Sequence, residues 1–111
     1  MLAEPPARTL ARMPTDPHAA SRDRVFRTVI EGPGVSEVAV RRAAAEDVGV
    51  PAELATLVDK IHRHAYKVTD EDLSRLRLTY SDDQLFEIVV SAALGASRIR
   101  LAAGLAALEK A

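Results

Sequence analysis

The chain has 111 residues, of which 48% are apolar and 28% charged, with a formal net charge of −1. That length gives one domain with one modest core, and the composition is that of a chain that folds. Fifteen basic residues against 16 acidic ones, with no basic stripe, give no electrostatic reason to expect nucleic acid as a partner. There is no cysteine, which excludes disulfides, thiolate catalysis and Cys-ligated metals. Aromatic residues are only 4%, so the core falls to Leu, Val, Ile and Ala, with Phe26 and Phe86 as its bulky members. Ala and Leu are strong helix formers, and an all-α fold is expected. The start, Met1 to Pro6, has neither the basic nor the apolar region of a secretory signal. Glu87, Arg98 and Arg100 interrupt the longest apolar run, so no membrane span is expected and the expected location is cytoplasmic.

Residues 1–20 hold four of the six prolines and read as a flexible or extended arm ahead of a helical domain over 21–111. A short helix follows over Ser21 to Ile30, with Val25, Phe26, Val29 and Ile30 on its buried side. Gly32-Pro33-Gly34 breaks it. Ser36 is the expected N-cap of a helix over Glu37 to Asp47, ended by Gly49. Pro51 opens the next helix, whose Leu54, Leu57, Val58 and Ile61 recur at i, i+3, i+4 and i+7. Asp59 and Arg63 stand at i, i+4 in the favourable acid-first order. This helix ends either near His62-Arg63-His64 or at Val68, and Thr69 followed by Asp70-Glu71-Asp72 is a strong start signal for another. Leu73, Leu76 and Leu78 are its inward candidates. Ser81 and Gln84 have the capping-box form, with Tyr80 placed to staple against Leu85. The last helix runs from there towards Leu108, with Gly95 and Ser97 as a possible bend. Its first half is apolar over most of its girth, which predicts burial on more than one side, in a bundle centre or a subunit interface.

Three groups are candidates for chemistry. His62 and His64 diverge on a helix and lack a third ligand, so no metal site is expected and exposed helix histidines are the better reading. His64, Lys67 and Glu71 would share a stripe if the helix continued through Thr69. A base, a cation and a carboxylate so placed would suit proton transfer or a small carboxylate ligand, against the plainer reading of a solvated stripe. Glu87 sits inside the apolar helix and needs a partner, for which Arg98 or Arg100 is expected, as a structural ion pair rather than catalysis. No phosphate-binding glycine loop, EF-hand spacing or nucleophile turn is present.

The stretch Tyr80-Ser81-Asp82-Asp83-Gln84-Leu85-Phe86-Glu87-Ile88-Val89-Val90-Ser91-Ala92-Ala93-Leu94-Gly95-Ala96 resembles the helix after the active-site helix of the carboxymuconolactone decarboxylase and AhpD-like alkylhydroperoxidase family. Arg100 to Leu108 is similar to that family's final helix, and Ala52 to Val58 to the helix that enters its site. The resemblance covers roughly residues 52–108. Peroxidase members carry Cys-x-x-Cys and a later His. The corresponding positions lie near His64, Lys67 and Glu71, and none of them matches. Thiol peroxidase chemistry is therefore excluded, while the decarboxylase branch does not depend on thiols.

The resemblance implies an AhpD-like all-α bundle of about five to six helices, without cofactor, assembled as a homo-oligomer, a trimer or hexamer. The expected function is a non-redox oligomeric binding or scaffold module. The alternative is a decarboxylase-like enzyme acting on a small carboxylic acid, with His64 as acid/base, Lys67 holding the carboxylate and Glu71 orienting.

Overall fold

The computed structural model describes residues 16–111 and is all-helical, with no strand among the described residues. Among the described residues five α-helices follow in order: α1 (Ala19–Glu31), α2 (Val38–Glu46), α3 (Ala55–His64), α4 (Asp70–Leu76) and α5 (Asp82–Lys110). Short 3-10 turns over Ala52–Leu54 and Ala65–Lys67 lead into and out of α3. Most of the arm expected over 1–20 lies outside the described residues. Its last part is ordered: Asp16 takes the amide of His18 at 2.9 Å and pairs with Arg22 at 2.6 Å, so α1 begins at Ala19.

The core is built around α5. Leu54, Leu57, Val58 and Ile61 are all buried, as their helical spacing requires, and they pack with Ala44 of α2, Leu76 of α4 and Leu85, Ile88 and Ala92 of α5. Fully burying side chains such as Leu54, Leu57 or Ile88 contributes about 1.5–3 kcal/mol each. The α2–α5 contact is the tightest. A Cβ on Gly95 would stand 1.9 Å from the Ala45 carbonyl oxygen, so the two backbones touch where only hydrogen fits. Gly95 is thus a packing residue and not a hinge, and α5 runs on as one α-helix through Gly95 and Ser97 for 29 residues.

Two of the three expected caps form. Thr69 accepts from the Asp72 amide at 3.2 Å while Asp72 takes the Thr69 amide at 2.9 Å, and Ser81 and Gln84 exchange the same two bonds at 3.1 and 2.9 Å. Asp59 and Arg63 pair at 2.8 Å. Tyr80 packs against the core and donates to Glu53 at 2.8 Å. Burial first, and then this bond, push the phenol up to about 12.

Other expectations change. The helix does not continue through Thr69: α3 ends at His64, whose backbone turns away (φ −149°, ψ 66°), and Val68 is extended. The single stripe of His64, Lys67 and Glu71 is therefore not formed. Ser36 does not cap α2; the N-cap position is Glu37, and the Ser36 hydroxyl bonds Glu87 instead. α2 stops at Asp47, in the left-handed region at φ 57°, before Gly49 is reached. Leu78 and Phe86 point outward, 87% and 69% exposed. On α1 only Ile30 is buried, and Val25 is 54% exposed.

Candidate functional site

The first feature with functional geometry is a groove between α1 and the second half of α5. Its volume is about 450 Å³, within the range of ligand pockets, and its floor is Val25, Phe26, Leu94, Leu101 and Leu105. It exists because α5 is longer than the body that supports it. The groove lies on the side of α5 opposite to the face buried at Leu85, Ile88, Ala92 and Ala96, and every residue from Ser97 to Ala111 is exposed. α1 reaches over the first part of this overhang and leaves a cleft. Its edge is polar: the Arg98 guanidinium lies 4.2 Å from the centre of the Phe26 ring and 3.7 Å from Asp23. A cation over an aromatic face contributes about 0.5–1 kcal/mol at an exposed site. By length and apolar composition α5 would suffice to cross a membrane, yet its first half forms the core of this domain.

The second feature is a polar joint around Glu87. Its carboxylate accepts from the Val35 amide at 2.9 Å and from the Ser36 amide and hydroxyl at 2.8 and 2.5 Å. The Ser36 hydroxyl above all, and then the Val35 and Ser36 amides, hold its pKa below the ordinary 4.5 against the opposing effect of burial. Gly34 makes room, since a Cβ there would meet the carboxylate at 2.8 Å. Beneath lies Arg41, buried, which donates to the Val29 carbonyl at 2.8 Å and to the Ser36 carbonyl at 3.3 Å and stands 3.9 Å from Glu87. The cation expected for Glu87 was Arg98 or Arg100. It is Arg41, because the α1–α2 loop folds onto this turn of α5 while Arg98 faces Phe26 and Arg100 donates to the His62 carbonyl. With all carboxylate bonds directed to the backbone and to Ser36, the joint is an architectural tie with no open coordination for a substrate. Ser36 carried the signal of a helix cap and Arg41 none at all, so the sequence marked neither as a partner of Glu87.

The sequence-predicted site residues are not gathered. His64 ends α3, Lys67 ends the following 3-10 turn and Glu71 lies in the first turn of α4; all three are exposed. Neither the groove nor a shallow hollow of about 560 Å³ beside α3 includes any of them. The His64 ring packs edge-on to Tyr66, their centres 5.8 Å apart. His62 is used structurally, its Nε2 lying 2.8 Å from the Ala44 carbonyl oxygen. The charges of the hollow are already paired, Arg63 with Asp47 and Asp59 at 2.8 Å, and Lys60 with Asp72 at 2.7 Å. Among the described residues no three His, Asp or Glu side chains group as metal ligands.

No family model, no curated protein and no solved structure matches the chain.

Proposed function

We propose that this chain is a non-redox helical binding or scaffold module that works as a homo-oligomer, in keeping with the AhpD-like resemblance of its last helices. One observation carries the reading: Leu101 and Leu105 line the apolar groove beside α1, and Leu108, 72% exposed, continues their face along α5. Contiguous apolar surface of this kind marks an interaction site. The decarboxylase-like alternative needs His64, Lys67 and Glu71 around one cavity; they lie on three separate elements, and nothing in their surroundings supports it. Sedimentation equilibrium of the full chain at micromolar concentration tests the proposal. A mass that is a multiple of 12.0 kDa is expected, and a mass of one chain overturns it.

A further inference from the structure

We infer that the groove of one copy is filled by the end of α5 from a second copy, reciprocally about a two-fold axis. This rests on the oligomer reading above and adds the contact by which the copies meet. The first support is a match of surfaces within one helix. Leu94, Leu101 and Leu108 recur every seventh residue, with Leu105 between the last two, which is the spacing of a helix–helix seam. Leu94, Leu101 and Leu105 lie in the groove, while Leu108 lies beyond it and is 72% exposed. Two α5 ends laid antiparallel and crossing at Leu101 set the partner's Leu108 against Leu94, in the groove beside Val25.

The second support is girth. Leu101 to Leu108 is Leu, Ala or Gly at every position, so this stretch of α5 is apolar all the way round and one flat contact would leave half of it bare. Reciprocal docking covers it on both flanks, by its own α1 and by the partner's α1 and α5. The contact is isologous, as a two-fold requires, and the Arg98–Asp23 pair falls at its polar rim.

The absence of native cysteine makes a clean test possible. Val25→Cys and Leu108→Cys replace exposed side chains, and retained helical circular dichroism checks the fold. Within one chain they are far apart: Arg98 faces α1 at Phe26, and Leu108 is ten residues further on, about 15 Å along the helix. Treated with the short crosslinker bismaleimidoethane, the double variant is expected to give a covalent dimer on a denaturing gel, and each single variant none. A multiple-chain mass without this covalent dimer, or a trimeric mass, overturns the docking and leaves the module reading standing. A single-chain mass overturns both.

Discussion

Glu87 is the residue on which the α1–α2 loop depends. Replacing it by Ala leaves the part-buried Ser36 amide and hydroxyl without their acceptor and takes the counter-charge from the buried Arg41, and an unsatisfied buried group costs about 1–3 kcal/mol. Glu87→Ala is expected to lower unfolding free energy by at least that much in urea titration, and Glu87→Gln by less. The pH dependence follows from direction. The folded pKa of Glu87 is depressed, so its contribution is fully present above the unfolded value of 4.5 and is lost as pH falls through the folded value. Asp72 acts lower down: the Lys60 bond first, and then the Thr69 amide, bring it from 3.8 to about 2, so its share is lost between those values. Glu87→Gln should flatten the fall in stability just below pH 4.5, and Asp72→Asn the part below 3.8. Ser91 offers the opposite sign. Its hydroxyl is fully buried with no hydrogen-bond partner among the described residues, so Ser91→Ala is expected to raise stability by about 1 kcal/mol, measured in the same titration.

At the scale of the helix, two glycines of α5 separate packing from propensity. At Gly95 a methyl group meets the backbone oxygen of Ala45, which has no side-chain freedom to give way, so Gly95→Ala should cost about 1–3 kcal/mol or more and weaken the α2–α5 contact. At Gly104 an added Cβ meets nothing within 4 Å, and Gly104→Ala should add about 0.8–1.0 kcal/mol of helix propensity. Thermal melts of the two variants should move in opposite directions. These elements also divide what the sequence made legible from what it hid. Local signals came through: the caps at Thr69 and Ser81, the Leu54–Ile61 face and the Asp59–Arg63 pair are set by residues within one or two turns. Long-range partners did not. Ser36 looks like a cap until Glu87, 51 residues away, claims its hydroxyl, and Gly95 looks like a bend until α2 is laid against it. The stripe of the candidate site is not formed for a related reason: His64, Lys67 and Glu71 align only on a continuous helix, and the Thr69 cap, which the sequence did announce, breaks that continuity.

For the whole molecule the main fact is that α5 outruns its support. Every residue of α5 from Ser97 onward is exposed, whereas six between Leu85 and Ala96 are buried. The over-apolar helix was visible in the sequence, but which part of it the domain itself would cover was not, because that depends on where α2, α3 and α1 end along it. Removing residues 102–111 deletes no buried residue, though it takes Leu105 from the groove, and it keeps Arg100 on the His62 carbonyl. The shortened chain is expected to keep its fold, with a melting temperature within roughly 4 °C of the full chain measured as monomer, and to lose self-association. Circular dichroism and sedimentation check the two halves of that statement separately.

The tie between Glu87 and the α1–α2 loop also has a consequence in time. The helices from α3 to the start of α5 are neighbours in sequence and can pair early, while the loop must close over 51 and 52 residues before its amides reach the carboxylate. That closure is rewarded only after α5 and α3 have docked, so the bonds belong to the late side of the folding barrier. In stopped-flow measurements Glu87→Ala should leave the refolding rate nearly unchanged and place its whole effect in faster unfolding, about tenfold for each 1.4 kcal/mol lost. The joint would then act as a kinetic latch, setting how long the α1–α2 segment stays closed on α5 rather than how quickly the chain folds.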